Sequence, residues 1–265
     1  MGNTAWKCGL VASILAGALW AAGSSKAEEK ASPTSFNSHM AFDVYTLVGE
    51  GRHFVGSTPS ERPLTIPAGK WWYVEPRHTV DMEKVRQEVE AQRIPGLRLG
   101  DATDADLEHL KGLKELHLLY LIGGKVTDAG LEHLKGLTGL QRLDLLWTKT
   151  TDAGLEHLRA LTKLQYLNLY ATQVTDAGLE QVEVLTASQN LELGRTHVTD
   201  AGLGKLQGLT GLKKLSLYGT QVTDAGLEHL KGLTALQELN LVGTRVTDAG
   251  VARLKKSLPN VVVVW

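Results

Sequence analysis

The chain has 265 residues, of which 43% are hydrophobic and 22% are charged, a composition typical of a globular protein and not of a disordered, collagen-like or multi-span membrane chain. Its 28 Lys and Arg residues balance 29 Asp and Glu residues, so it lacks the excess positive charge that nucleic-acid binding needs. The single cysteine, Cys8, can form neither an internal disulfide nor a cysteine-based zinc site. We therefore expect no nucleic-acid partner and no cofactor.

Residues 1–27 have the order of a secretory signal peptide. Lys7 precedes an apolar run over 8–22, and small residues follow as far as Ala27. The apolar run is shorter than the ~20 residues of a membrane-spanning helix. We predict cleavage after Ala27, export to the periplasm or the extracellular space, and no stable membrane insertion of the mature chain; an uncleaved membrane anchor is the alternative.

The segment before the repeats is polar at first and then mixed. Residues 28–38 predict a linker, and residues 39–100 predict a small N-terminal segment that ends in a capping helix and strand. Trp71 and Tyr73 are expected on one face of a strand and Trp72 on the other. The predicted elements are strands over 44–48, 53–55 and 70–74, a helix over 81–92 and a strand over 94–99.

An internal repeat of 24 residues fills residues 101–265. Leucines three apart, such as Leu131 and Leu134, predict a short helix, whereas Leu143 and Leu145 are two apart and predict a strand. Stacked strand–helix units, about six to seven in number, predict a right-handed α/β solenoid with parallel strands on its concave face and short helices on its convex face. The Thr-Asp-Ala-Gly motif marks the period, beginning at Thr127, Thr151, Thr175, Thr199, Thr223 and Thr247.

The Thr and Asp residues of that motif are expected at the start of each helix. Either Thr127 or Asp128 can cap the helix by accepting backbone N–H groups, and the Asp also faces the positive end of the helix dipole. We assign the column of Asp residues to this capping and not to calcium binding, because the glycine-rich calcium nonapeptide is absent.

The stretch from Leu140 to Thr148 resembles the signature of leucine-rich-repeat proteins, L-x-x-L-x-L-x-x-(Asn/Cys/Thr). The Thr-Asp-Ala-Gly-Leu stretch resembles the cysteine-containing subclass of F-box proteins and its relatives in exported bacterial proteins, in which Thr takes the ladder position. Gly124 departs from this pattern. The resemblance covers about residues 97–265 and implies an arc that serves as a protein or glycan recognition scaffold. The ladder residues are Thr148, Thr172, Thr196, Thr220 and Thr244.

Side chains that alternate with the strand leucines are expected on the concave face, where they differ from copy to copy. Because the fold does not demand their identity, they are free to carry specificity, and Tyr, Trp and Arg are enriched in binding hot spots. The predicted binding residues are Tyr120, Arg142, Asp144, Leu146, Trp147, Tyr166, Tyr170, Arg195 and Tyr218.

Catalytic and metal-binding motifs are not evident in the sequence. It contains no nucleophile elbow, no phosphate-binding glycine loop and no His-Glu-x-x-His. Four histidines fall in one column of the repeats, which we interpret as a duplicated, solvated helix face and not as a metal site. They are His109, His133, His157 and His229.

The sequence therefore predicts a non-enzymatic scaffold that binds another protein through its concave sheet. One alternative is an envelope or cell-wall glycan binder that uses Trp71, Trp72 and the tyrosines. A second is an F-box-like ubiquitin-ligase substrate adaptor, against which the export signal and the lack of a preceding F-box segment count. A third is a structural spacer.

Overall fold

The computed structural model describes residues 33–48, 51–69, 71–77 and 81–265. The predicted signal peptide and the first residues of the predicted linker lie outside the described residues. The chain divides into two compact units, one ending at Val80 and one beginning at Asp81.

The first unit is built from antiparallel strands. β2 pairs with β3 and β5, and β1 pairs with β4. The sequence predicts a linker over 28–38, whereas part of that range forms β1, because Phe36 is apolar and packs 5.1 Å from the Trp72 ring, both side chains being buried. The strands are β1 (Thr34–Phe36), β2 (Phe42–Val48), β3 (Gly51–Ser57), β4 (Leu64–Ile66) and β5 (Trp72–Pro76).

The second unit begins with helix α1 (Met82–Ala91), which is followed by strand β6 (Gly96–Gly100). Asp81 caps α1 by accepting hydrogen bonds from the backbone N–H groups of Glu83 and Lys84. The helix buries Met82, Val85 and Val89, which are spaced three and four apart and so share one face.

Strands β6 to β13 then form one parallel sheet in which each strand pairs with the next in chain order. The strands after β6 are β7 (Leu118–Ile122), β8 (Arg142–Asp144), β9 (Tyr166–Asn168), β10 (Asn190–Glu192), β11 (Lys214–Ser216), β12 (Glu238–Asn240) and β13 (Val262–Val264). The α-helices between them are α2 (Asp104–Glu108), α3 (Asp128–Leu131), α4 (Asp152–Glu156), α5 (Leu179–Val182), α6 (Asp200–Leu203), α7 (Leu227–Leu230) and α8 (Asp248–Ser257).

The leucine columns form the core of this solenoid. Leu143 and Leu145 of β8 and its turn are fully buried, and so are their counterparts one period later, Leu167 and Leu169. The ladder threonines close each strand's turn: Thr148 donates from its hydroxyl to the Leu145 carbonyl at 2.8 Å, and Thr172 does the same to Leu169 at 2.7 Å. Thr196 and Thr220 make the same buried hydrogen bond, and Thr244 makes a partly buried one, whereas Gly124 at the first ladder position has no hydroxyl to donate.

The Thr-Asp-Ala-Gly motif joins neighbouring repeats as well as starting a helix. Thr127, not Asp128, caps α3, because its hydroxyl oxygen accepts the Ala129 N–H at 3.3 Å. The Asp128 carboxylate instead accepts two hydrogen bonds from Thr151 of the next repeat. The prediction that capping explains the Asp column is therefore wrong: the column is an inter-repeat connection.

Candidate functional site

The concave face of the sheet carries three rows of side chains that run across the strands. The first row comprises Leu118, Arg142, Tyr166, Asn190, Lys214 and Glu238, in register from β7 to β12. The middle row comprises Tyr120, Asp144, Asn168, Glu192, Ser216 and Asn240. The third row follows the middle row by two residues and comprises Ile122, Leu146, Tyr170, Gly194, Tyr218 and Val242.

The middle row is more buried than alternation alone predicts. Asp144, Asn168 and Glu192 are each at most 8% exposed. Asp144 accepts the Leu146 N–H at 3.0 Å, and Asn168 accepts the Tyr170 N–H at 2.9 Å. Asp144 and Asn168 thus hold the backbone turn that follows their strands. The middle row is therefore partly structural and is not wholly free to vary.

Burial also sets the charge of the middle row. Desolvation raises the pKa of the Glu192 carboxyl to about 8, and the nearby Asp144 charge adds to the rise while a hydrogen bond with Ser216 opposes it. Desolvation likewise raises the pKa of Asp144, against its hydrogen bonds with Leu146 and Asn168. Near pH 7 Glu192 is therefore predominantly uncharged.

Arg142 and Tyr166 pack against each other in the first row. The Arg142 guanidinium carbon lies 3.9 Å from the centre of the Tyr166 ring, which is a cation–π contact. The same guanidinium interacts with the Tyr120 hydroxyl and with the charge of Asp144. Burial raises the pKa of the Tyr166 hydroxyl well above its ordinary value, so Tyr166 stays neutral.

A second aromatic group lies along the third row. The Tyr170 and Tyr218 rings are stacked with centres 6.2 Å apart, and the Arg195 guanidinium lies 5.8 Å from the Tyr218 ring centre. Gly194 stands between the two tyrosines, and a Cβ there would come within 2.7 Å of the Tyr170 ring. The absence of a side chain at Gly194 leaves room for the Tyr170 ring.

The structure brings the predicted binding residues together on adjacent strands, although they differ in exposure. Arg195 is exposed, whereas Tyr170 is 5% and Asp144 is 8% exposed. The remaining members are half-buried: Tyr120, Arg142, Leu146, Trp147, Tyr166 and Tyr218. We call this set of nine residues the contact patch.

Sequence reasoning missed one ion pair on the same face. Lys214 is only 3% exposed, and its Nζ lies 3.1 Å from Glu238 Oε1 on the next strand. The two residues are direct cross-strand partners in the register, and opposite charges at such positions were the available signal. The pair neutralises the first row at its β11–β12 end.

The tryptophans assigned to glycan stacking do not act as one surface. Trp72 and Tyr73 are both buried, at 7% and 2% exposure, whereas Trp71 is 42% exposed. Alternation along the strand therefore does not separate buried from exposed rings here, because Trp72 and Tyr73 are neighbours in β5 and both are buried. Trp72 is not accessible for stacking on a sugar.

The histidine column lies on half-buried positions beside the helices. His109 contacts Glu83 and His229 contacts Gln207, each through Nδ1 at 3.3 Å. Within the described part of the chain, no three His, Cys, Asp or Glu side chains gather as a metal site would require. None of the helices among these residues is long and apolar enough to span a bilayer.

The repeated strand–turn–helix unit, the leucine core and the parallel sheet define the class of protein by fold: it is a leucine-rich-repeat solenoid. A family model described as Leucine Rich repeat matches residues 232–255, which is one full period from the end of α7 into α8. No curated protein matches the chain at a significant level.

Two solved structures of Listeria monocytogenes str. 4b F2365 are similar to this chain. Internalin C2 is 24% identical with a TM-score of 0.53, and the match covers 77% of this chain and 86% of that one. Internalin InlF is 23% identical with a TM-score of 0.46, and the match covers 68% of this chain and 63% of that one, so this chain spans less than two thirds of its length. At this identity the likeness to internalin C2 concerns the fold alone.

Proposed function

We propose that the chain is an exported, non-enzymatic recognition scaffold that binds another protein through the contact patch. The observation that carries this proposal is the packing of the aromatic and arginine side chains against one another on one face of the sheet. Arg142 lies on Tyr166, and Arg195 lies on Tyr218. Tyr, Trp and Arg are the side chains that most often dominate binding energy at protein interfaces.

Packing within the contact patch favours binding because it reduces the entropy lost on association. An arginine that already rests on a ring samples fewer rotamers than a free one, so less freedom is lost when a partner covers it. The stacked pair of Tyr170 and Tyr218 is fixed in the same way, with Gly194 providing the space for the ring. The patch thus presents a rigid surface of apolar rings with cationic groups among them.

Export is proposed from the sequence of residues 1–27, with its single early lysine, apolar run and small residues before Ala27. The intact mass of the secreted protein tests it. A mass that corresponds to a chain beginning at Glu28 supports cleavage. The mass of the full-length chain, found in the membrane fraction, supports the anchor instead.

Protein binding is tested by photo-crosslinking from two positions of the full chain. A photoreactive amino acid replaces Leu146 in the contact patch or, as the matched control, Glu156 on helix α4, which is exposed on the convex side. We expect a discrete protein adduct from position 146 that is absent from position 156. Equal adducts from both positions, or adducts with oligosaccharide only, contradict the proposal, the latter in favour of the glycan alternative.

A further inference from the structure

The residue that follows the third row has a left-handed backbone conformation in every repeat from β7 to β12. We call these positions the left-handed column. Glycine adopts this conformation freely, whereas other residues are strained in it. The column comprises Gly123, Trp147, Ala171, Arg195, Gly219 and Gly243, with φ of 121°, 59°, 55°, 55°, 64° and 74°.

The solenoid itself imposes this conformation. The backbone N–H of Trp147 donates to the Tyr170 carbonyl at 3.1 Å, and that of Arg195 donates to the Tyr218 carbonyl at 2.7 Å. Gly219 makes the equivalent bond to Val242 at 2.9 Å. The same inter-strand hydrogen bond is therefore made whether or not the residue has a side chain.

Because glycine satisfies the fold at three of the six positions, folding does not explain the tryptophan and the arginine. A strained residue that persists where an unstrained one would serve points to a function for its side chain. Trp147 and Arg195 are the two members of the contact patch that have this strained backbone, and the Arg195 guanidinium lies 5.8 Å from the Tyr218 ring centre.

Three consecutive positions of the column are Trp147, Ala171 and Arg195. Ala171 lies on the strand between those of Trp147 and Arg195, and neighbouring strands are about 5 Å apart, so the two large side chains flank a small one across about 10 Å. The Arg195 side chain runs toward Gly219, whose Cβ position is 3.5 Å from Arg195 Cγ, and its guanidinium lies by the Tyr218 ring. The column therefore carries an indole at one repeat and a guanidinium two repeats later, with a small side chain between them.

The acidic side chains of the concave face do not neutralise Arg195. Glu238 is paired with the buried Lys214, and Asp144 is buried with hydrogen bonds to the backbone and to Asn168. Glu192 is buried and largely protonated near pH 7. Arg195 is the exposed cation of the patch.

We propose that Trp147 and Arg195 are the specificity-determining residues of the concave face and that the partner is a polypeptide presenting a carboxylate to Arg195 and an apolar side chain to Trp147. This inference rests on the proposed function, since it names the chemistry of the partner for the same surface. We expect glycine at either position to remove binding without weakening the fold. A merely structural role would instead weaken the fold.

Stability is measured first, by thermal unfolding of the full chain. Arg195→Gly and the matched control Ala171→Gly both relieve left-handed strain, so we expect neither to lower Tm. A clear loss of Tm in Arg195→Gly alone assigns the arginine a structural role and overturns the proposal.

Specificity is measured with a phage-displayed library of random peptides selected on the wild-type chain. We expect selected peptides that combine Asp or Glu with an aromatic or aliphatic residue, a loss of affinity of about tenfold or more in Arg195→Gly and in Trp147→Gly, and unchanged affinity in Ala171→Gly. Selection on Arg195→Glu is expected to replace the acidic residue by Lys or Arg.

The outcomes separate the two proposals. Peptides that bind the wild type and lose affinity in Leu146→Glu, yet bind Arg195→Glu and Trp147→Gly equally well, overturn the specificity inference and leave the proposed function standing. Peptides that do not distinguish the wild type from Leu146→Glu overturn the proposed function together with the inference.

Discussion

Asp128 and Thr151 belong to neighbouring repeats and are joined by two hydrogen bonds. The Thr151 backbone N–H donates to Asp128 Oδ1 at 2.8 Å, and its hydroxyl donates to Oδ2 at 2.6 Å. The same pair of bonds recurs along the solenoid. The other pairs are Asp104 with Thr127, Asp152 with Thr175, Asp176 with Thr199, Asp200 with Thr223 and Asp224 with Thr247.

Loss of one of these Asp–Thr connections should weaken the packing of neighbouring repeats. We expect Asp152→Ala to lower the free energy of unfolding by about 3 kcal/mol, because the Thr175 N–H and hydroxyl lose a charged acceptor at a half-buried position. Urea denaturation of the full chain measures the change.

The control for this prediction is Asp248, the Asp of the last Thr-Asp-Ala-Gly motif. Asp248 is exposed and accepts a hydrogen bond from the Trp265 indole at 2.9 Å. Asp248→Ala should lower stability much less than Asp152→Ala. Similar losses in the two variants contradict an inter-repeat role for the carboxylate.

The glycine of the motif is required by space and not by backbone conformation. A Cβ at Gly202 would overlap with Asp176 Oδ1, whereas a Cβ at Gly232 would meet nothing within 4 Å. We expect Gly202→Ala to destabilise the chain by about 1–3 kcal/mol although alanine is the better helix former. Gly232→Ala should be neutral or stabilising by about 0.5 kcal/mol, and the two are compared by denaturation. A stable Gly202→Ala variant is the contrary result.

Periodicity predicted the solenoid because the leucines alternate between helical and strand spacing within each unit. It could not tell a contact within a repeat from a contact between repeats, since both recur every 24 residues. The sequence therefore indicates helix capping for the Asp column, whereas the Asp128 carboxylate accepts its hydrogen bonds from Thr151 of the next repeat. Only the three-dimensional stacking separates the two possibilities.

The placement of the predicted binding residues on one face of the sheet was predictable from the sequence, but their burial was not. Alternation fixes which face a side chain occupies, but not how closely neighbouring strands crowd it, so the burial of Asp144 and Tyr170 had no sequence signal. The left-handed column did have one. Gly219 and Gly243 share a repeat position with Trp147 and Arg195, and glycine at some copies of a column indicates a backbone requirement at all of them.

Glu192 should make stability fall as the pH rises. Its pKa is about 8 in the folded chain and near 4.5 when unfolded, so between these values the folded chain holds a proton that the unfolded chain has released. Stability due to this group is thus retained at pH 4.5 and below and is lost as the pH increases to about 8. Glu192→Gln removes the ionisation while keeping a similar shape, and it should raise stability at pH 8–9 by as much as about 4 kcal/mol, with little effect at pH 4.5.

Denaturation of both proteins across this pH range measures the difference. The control is Glu180→Gln, which alters an exposed carboxylate whose pKa is lowered by its hydrogen bond with Lys205. That variant should not be stabilised above pH 7. A Glu192→Gln variant with the same pH profile as the wild type contradicts a buried, protonated Glu192.

Arg142 should stabilise the concave face through its contact with an aromatic ring. Its guanidinium carbon lies 3.9 Å from the Tyr166 ring centre, and both side chains are half-buried. Arg142→Ala removes this cation–π contact and uncovers the ring, so we expect a loss of about 1–2 kcal/mol in unfolding free energy. Arg142→Met keeps an apolar cover over the ring without the charge and should recover part of the loss.

The matched control is Arg159→Ala, since Arg159 is exposed and its guanidinium donates a hydrogen bond to Gln181 at 3.0 Å. This substitution should leave the free energy of unfolding nearly unchanged. Equal stability of Arg142→Ala and Arg159→Ala contradicts the contact, whereas full recovery by methionine assigns the effect to burial and not to charge.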